Sequence, residues 1–517
     1  MHAALVLPAL LPLLLLALLA VLLAAACARG RSLLPDEVLE LVRARRLTRD
    51  LPGPGTADLL FRALRAVDGG RGAYAFLSAL CRRHAAGPAF RFCLGHVTMV
   101  YLLRREDVEF VLTSPGLTNK AVMYSALEPF VGRGLATLGG EEWRRHRKAV
   151  TPSLHLDILR HFVAAFDRHA AALATRLQQH HHGRTLDVAP LCGECANAAV
   201  LETVMSTEVP DDDAGKLAFL EALPAAQRHY MRRTARPWLL VDWVFAHSGQ
   251  HGDYVRVQRI LEDFTERIIR EKKQAAGDDG ELYRPRKRLA FLDHVLSSAE
   301  GAALSDDELA GEVKTLVAIA SSSSMDTLSL FLYTVAIRQD IQERVWQEVS
   351  AVLGEDLSRP VTPEDLAHLG YTERVFKEVL RFYSVVPLFA RRCPADVVLP
   401  SGVLAPRGCQ LAVWLPHLHR DADAFPDPDE FDPDRFLPEN CRGRHPFAYL
   451  PFSAGARNCV GQRYAMTFLK TAAAALVARL RFEVPDGGPR SPRDVPLILN
   501  VTTAVWKGTR VTVFRRT

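Results

Sequence analysis

The sequence predicts a predominantly α-helical globular domain with a small β portion, preceded by an apolar N-terminal segment. Three observations carry that expectation. Helical periodicity dominates after residue 60, the strand-like segments are short, and no linker, charge block or repeat divides the 517-residue chain beyond that point. Composition is 49% hydrophobic and 24% charged, enough apolar material for a sizeable core. A net charge of +5 is small for this length and gives no reason to expect nucleic acid as a partner.

The apolar start runs from Ala3 to Cys27, long enough to cross a bilayer as a helix. It is about twice the length of a signal-peptide core, and no Lys or Arg precedes it. Arg29, Arg31, Arg43, Arg45 and Arg46 follow it, so the positive-inside rule leaves the rest of the chain in the cytosol. Residues 1–28 are therefore expected to be an uncleaved membrane anchor. Residues 29–58 read as a linker, basic at first and then stiffened by Leu51-Pro52-Gly53-Pro54-Gly55.

Within the domain, strands are expected at Phe90–Leu94, Val97–Leu102, Val397–Leu399 and Arg510–Phe514. Leu316–Ala336 reads as a long apolar helix interrupted by Ser321–Ser324. Thr362 as N-cap and Pro363 at the first helical position open a helix that carries Tyr371 to Tyr383 and ends near Pro387. Phe425–Pro438 is too rich in Pro and Asp for a regular element. A last long helix is expected at Gln462–Leu480.

Nine cysteines in a cytosol-facing chain read as reduced thiols. Cys192 and Cys195 form a lone CxxC without the rest of a zinc site, so they read as a core or surface pair. His180–His182, just before Gly183, reads as a solvated loop.

The strongest chemical signal is Phe452-Ser453-Ala454-Gly455-Ala456-Arg457-Asn458-Cys459-Val460-Gly461. A thiolate that ligates iron must stand exposed at a loop end, with backbone N–H groups turned toward sulfur. Glycines at 455 and 461 allow such a turn and the approach of a flat cofactor. Taken alone, the loop also suits a cysteine that merely caps the following helix. Glu378 and Arg381, three apart, share a helical face, as do Trp143 and Arg147, four apart. Asp326-Thr327 sets a carboxyl beside a hydroxyl, the pairing a proton relay needs.

The ten positions ending at Gly461 fit the haem-binding signature of the cytochromes P-450. The chain resembles that superfamily from end to end, with four further motifs in the same order. The resemblance implies haem b with Cys459 as the iron's axial ligand, in a catalytic domain at residues 59–517. It implies that Trp143, Arg147, Arg391 and Arg457 bind the haem propionates. Glu378 and Arg381 would meet Arg435, from Pro433-Asp434-Arg435-Phe436, in a buried network that shapes the Cys459 loop. Leu316–Ala336 would be the oxygen-binding helix, with Asp326 and Thr327 as its proton-delivering pair.

Two departures from that helix's pattern stand out. Ser324 replaces a glycine that makes room for dioxygen, and Leu328 replaces a common second threonine. Arg144, Arg145 and Lys148 are expected to face outward as a basic docking surface for an acidic electron donor. With no Gly-x-Gly-x-x-Gly or phosphate loop, the chain has no evident nicotinamide or flavin site of its own. The resemblance then implies electrons from NADPH-cytochrome P-450 reductase, with cytochrome b5 as an auxiliary, at the cytosolic face of the endoplasmic reticulum.

Arg286–Asp293, Glu312–Thr315, Pro237–Leu239 and Asn458–Gln462 look most like family 4 of the superfamily, arthropod members included. Some members of that branch carry a glutamate that bonds covalently to haem. Ser323 stands at that place here, so haem is expected to be held without such a link. Pocket residues are expected from Val385–Leu388, Asn500–Thr503 and Asn119–Arg133, around a lipophilic substrate such as a fatty acid, steroid, terpenoid or foreign compound. Trp238, Leu239, Leu240, Trp243, Val244 and Phe245 form an apolar patch that suits either the core or a membrane surface. An isomerase or dehydratase on the same fold, or a haem binder without turnover, remains an alternative. NADPH-dependent formation of an oxygenated product separates the three.

Overall fold

The computed structural model describes residues 36–54, 71–94, 97–205, 212–234, 236, 239, 242–278 and 291–516. The expected anchor, Ala3–Cys27, lies outside these residues, as do Trp238, Leu240 and the segment 279–290. Seven helices carry the argument: α1 (Gly140–Val150), α2 (Leu156–His180), α3 (Ala189–Met205), α4 (Ala214–Thr234), α5 (Asp306–Ile337), α6 (Gly370–Tyr383) and α7 (Gln462–Val477). α5 runs through the centre. It packs along α3 and also touches α6 and α7, while α2 lies against α3 and α7.

The start of α5 follows from local chemistry. Ser305 and Glu308 form a capping box, each side chain meeting the other's backbone N–H, and Asp306 and Asp307 complement the positive helix end. The run of serines does not interrupt the helix. The hydroxyls of Ser322 and Ser323 donate to the carbonyls of Ala318 and Ile319 four residues back, both at 2.8 Å. Gly311 lets the loop at Arg133 lie directly on α5, since a Cβ there would sit 2.2 Å from the Arg133 carbonyl oxygen. By length and composition α5 could cross a membrane, but most of it is buried as the core helix of the domain.

The helix expected from Thr362 onward is in fact two. Thr362 and Asp365 cap a short helix, Pro363–His368, which stops at Leu369 (φ −88°, ψ 59°). α6 then starts afresh because the Glu348 carboxylate accepts from the backbone N–H groups of Tyr371 (2.6 Å) and Thr372 (2.8 Å). That cap comes from a distant helix and leaves no local sequence signal. α6 ends with Ser384 in the left-handed region at φ 47°, four residues after Leu380, whose carbonyl accepts the Ser384 N–H.

Four strands form the main sheet in the spatial order Ala89–Leu94, Val97–Leu102, Gln410–Trp414, Leu388–Arg392. The middle pair is parallel and the outer pairs antiparallel. Gln410–Trp414 is buried at every position, so it lacks the alternation that marks a half-exposed strand. The remaining expected strands form as Val397–Val398 and Arg510–Arg515. A hairpin of Leu497–Leu499 and Thr503–Val505 turns at residues 500–502.

One expectation is corrected near the N-terminus. Part of the segment read as a linker is folded: Asp36–Leu47 is a helix, and Ala44 is fully buried against the core under the sheet. The Pro52 carbonyl accepts the Arg91 N–H at 2.7 Å, which fastens the Pro/Gly-rich stretch to the sheet edge. Cys192 and Cys195 are free thiols buried on α3, as a core pair should be. Of the apolar patch, Leu239 and Phe245 are buried whereas Trp243 is 69% exposed.

Candidate active site

Residues from every part of the fold line one cavity of about 1760 Å³. The expected pocket segments meet there: Val385–Leu388, Asn500–Thr502, and Lys120 with Val122–Leu127 from the loop before α1. Trp143, Arg147, Arg391, Arg457, Cys459, Ser323, Ser324 and Thr327 also line it.

The Cys459 loop is built backbone first. The Cys459 N–H donates to the Phe452 carbonyl at 2.9 Å and closes the loop. Gly455 adopts φ +70°, and a Cβ there would collide with the Leu112 carbonyl oxygen at 1.9 Å, so glycine is required twice over. Gly461 is different. Its φ of −90° suits any residue, and a Cβ would lie 4.0 Å from the Cys459 sulfur, an ordinary contact, so neither the backbone nor the protein's own packing requires glycine there. Burial pushes the Cys459 thiol up, while the Gly461 N–H and the charges of Arg147 and Lys120 pull it back toward thiolate.

Around the sulfur stand cations with no acid to balance them. Arg147 donates to the Asn458 carbonyl (2.9 Å) and to its side-chain oxygen (2.6 Å), tying α1 to the loop. Arg457 donates to the carbonyls of Thr118, Leu135 and Leu138, and stacks 4.0 Å above the Trp143 ring. Arg391 is 2% exposed and donates to the Ala390 carbonyl. Lys120, which sequence reasoning did not single out, lies 4.2 Å over the Tyr124 ring. Burial first, and then the neighbouring charges, hold Arg457 down at about 9 and Lys120 well below the usual lysine range. Among the described residues no carboxylate pairs with any of the four. Such a group calls for a ligand bearing more than one negative charge.

Haem fits these residues. Its two propionates match the uncompensated cations, and the thiol that could reach its iron projects into the same cavity. Trp143, Arg147, Arg391, Arg457 and Lys120 could hold the carboxylates, and Cys459 could ligate the metal.

The support beneath the loop is explicit. Arg381 donates to both Glu378 oxygens (2.7 and 2.8 Å), and Arg435 donates to Glu378 Oε1 at 3.2 Å. All three side chains are buried. The spare N–H groups satisfy a loop without regular hydrogen bonding: Arg381 reaches the carbonyls of His419, Pro428 and Glu430, and Arg435 those of Pro426, Asp427 and Glu430.

A second prop had no sequence signal. His419 Nε2 accepts the Leu450 N–H at 2.9 Å, so the neutral ring must carry its proton on Nδ1, which lies 3.0 Å from Ser384 Oγ. Burial, then Arg381's charge, drives the His419 pKa down from 6.5 to about 3. The folded state thus resists a proton that the unfolded chain accepts. Its contribution is complete above pH 6.5 and drains away as pH falls toward 3, by a few kcal/mol. In urea titrations the gap between wild type and His419→Asn should therefore narrow as pH falls from 6.5 to 4.

On α5, Thr327 donates to the Ser323 carbonyl at 2.7 Å. Asp326 faces away from the cavity lining and accepts from the Thr502 hydroxyl. Ser324 lines the cavity, and its buried hydroxyl has no partner. Leu328 is fully buried in the main core, so the second departure concerns packing rather than the cavity. Arg144, Arg145 and Lys148 are exposed as expected, but each already meets an acid, Glu141, Glu308 and Glu300 respectively. The basic surface is therefore largely neutralised from within.

A thiol-bearing loop, a cationic cradle and a central helix with an acid–hydroxyl pair, on this fold, define a cytochrome P450. The family model for cytochrome P450 matches residues 52–505, and the chain belongs to that family. It is 34% identical to cytochrome P450 4V2 of Mus musculus over 430 residues, 81% of each chain, and equally similar to the Homo sapiens protein. Against cytochrome P450 4d2 of Drosophila melanogaster it is 32% identical over 438 residues, covering 82% of this chain and 86% of that one. Among solved structures, the haem domain of cytochrome P450DA superposes with a TM-score of 0.76 at 20% identity, covering 90% of this chain and 98% of that one. The protein is a haem-containing monooxygenase of this family, similar to its family 4 members.

Proposed function

We propose that the chain inserts one atom of dioxygen into a lipophilic substrate, with haem b held through the Cys459 thiolate and electrons drawn from NADPH through a separate reductase. One observation carries this reading: a thiol that shares its cavity with Trp143 and with Arg147, Arg391, Arg457 and Lys120, four cations whose charges no acid of the described residues balances. When bound, haem supplies the activation of dioxygen. The protein's part is to aim the thiolate, anchor two propionates, exclude bulk water and hold a proton close by. The Gly461 N–H steadies the sulfur's charge, and Glu378, Arg381, Arg435 and His419 keep the loop in place. Asp326 and Thr327 deliver protons.

The wall formed by α4 narrows the substrate class. Arg228 and Arg232, four apart and both exposed, add to the cavity's cationic lining and suit an acidic head group, so a fatty acid is the first class to test. Reductase with cytochrome b5 as auxiliary, an anchor at residues 1–28 and a cytosol-facing domain on the endoplasmic reticulum complete the proposal. The deciding experiment reconstitutes the haem-loaded enzyme with reductase and a mixed lipid extract. NADPH-dependent oxygenated acids support the reading. Peroxide rearrangement without NADPH, or bound haem with no turnover, refutes it.

Haem stays non-covalent in this reading, because Ser323 offers a hydroxyl already donated to Ile319 and no carboxylate to esterify. Acid–organic extraction should carry all of the haem away from the polypeptide.

A further inference from the structure

We propose that Thr502 is the hydroxyl through which Asp326 exchanges its proton with the active-site cavity, a role that rests on the proton-delivery reading above. The helix alone does not give Asp326 a route. Asp326 is 4% exposed and absent from the cavity lining, although its neighbour Thr327 is part of it. Thr327 turns its hydroxyl back onto the Ser323 carbonyl and makes no hydrogen bond to Asp326. A carboxyl in that position can trade protons with cavity water only through a group that touches both.

Thr502 is that group. The residue is 3% exposed, it lines the cavity, and its Oγ1 donates to Asp326 Oδ2. The hairpin turn that carries it is pinned on both sides. The Asn500 N–H donates to the Thr502 carbonyl at 2.9 Å, the Thr503 N–H to the Val385 carbonyl at 2.8 Å, and the Thr503 hydroxyl to the Ser384 carbonyl at 2.9 Å. The hydroxyl is thereby fixed against the carboxyl rather than free to rotate with a mobile loop.

A hydroxyl has one proton to give and two lone pairs to accept with, so it can reverse its direction without moving its oxygen. With Asp326 ionised, Thr502 donates to it. With Asp326 protonated, the Asp326 O–H bond breaks as a new one forms on Thr502 Oγ1, and the hydrogen already on that oxygen passes to cavity water. Two O–H bonds break and two form, the net transfer is one proton from Asp326 to water, no electrons move, and the reverse step reloads Asp326 between turnovers. Burial lifts the Asp326 carboxyl to about 7, so both forms are available near neutrality. From α3, packed behind, the ionisable group facing it is Cys192, which burial keeps as a neutral thiol.

The test uses the haem-loaded full chain. The Asp326 carboxyl stretch, assigned by its loss in Asp326→Asn, is titrated by infrared difference spectroscopy. In wild type its midpoint should fall near pH 7, and Thr502→Val should raise it by about one unit, because the hydrogen bond that favours the carboxylate is gone. Thr502→Ser should restore it. Under reductase-supported turnover Thr502→Val should divert NADPH to hydrogen peroxide several-fold more than wild type, with an enlarged solvent deuterium effect, while the thiolate carbon monoxide band stays intact. An unchanged midpoint in Thr502→Val overturns the proposal, as does a shifted midpoint with wild-type coupling and isotope effect. Should Thr502→Val fail to fold, Thr502→Ala is read by the same criteria. A wild type that titrates as expected yet consumes no NADPH refutes the reductase-driven reading, and the infrared series still decides whether Thr502 governs the Asp326 proton.

Discussion

Cys459→Ala protein, reduced and exposed to carbon monoxide, gives none of the difference band of thiolate-ligated haem, while its apo fold melts like wild type. The band should vanish completely because no other cysteine of the described residues reaches the cavity. Among the described residues Cys459 is the one cysteine lining the cavity; Cys81, Cys192, Cys195, Cys393 and Cys409 are buried elsewhere, and Cys93 and Cys441 are half-buried outside it. The fold should tolerate the change because the loop does not hang on the sulfur. Its closure is the Cys459 N–H on Phe452, which alanine keeps, and its backing is the His419 bond to Leu450. Thr327→Ala is the complementary variant: it should keep the band and lose coupled turnover, since Thr327 touches the cavity from α5 and not the thiolate loop. Difference spectra and NADPH-to-product ratios, measured on proteins purified in parallel, check both. A residual thiolate band in Cys459→Ala would move the ligand elsewhere.

How much of this was legible beforehand depended on whether partners lay close along the chain. The sequence placed Glu378 and Arg381 on one face because three residues nearly close a helical turn, and the structure puts their charges 2.7 Å apart. The Cys459 loop was readable for a related reason, since Gly455 solves a local backbone problem that only glycine solves. What escaped the sequence is contact between distant segments. Thr502 meets Asp326 across 176 positions, and Glu348 starts α6 from a separate helix. His419 looks like any histidine until Leu450 is laid over it. The acids that face the outward cations of α1 were hidden for the same reason. Arg145 and Lys148 face outward as expected, but their partners Glu308 and Glu300 come from other segments, and a pattern on one helix says nothing of its neighbour's acids.

The other large effect falls on Glu378, and its direction follows from what the carboxylate neutralises. Glu378→Ala leaves the guanidiniums of Arg381 and Arg435 buried with no counter-charge, a change that typically costs about 3–5 kcal/mol. Against a total folding free energy of about 5–15 kcal/mol, that is a large fraction. An exposed pair sets the control: Glu194→Ala, which frees Arg176 at the surface, should cost under about 1 kcal/mol. The loss at Glu378 should also be local before it is global. The two arginines satisfy the carbonyls of Pro426, Asp427, Pro428 and Glu430, so once they lose their anchor, backbone amides from 419 to 432 should exchange with solvent faster than those of α5. Haem retention should fall in step, because the Leu450 N–H that leads into the Cys459 loop rests on His419, whose carbonyl Arg381 holds. Hydrogen exchange with and without haem separates the two stages. Uniform exchange across the domain in Glu378→Ala would mean that the network stabilises the fold as a whole and does nothing particular for the loop.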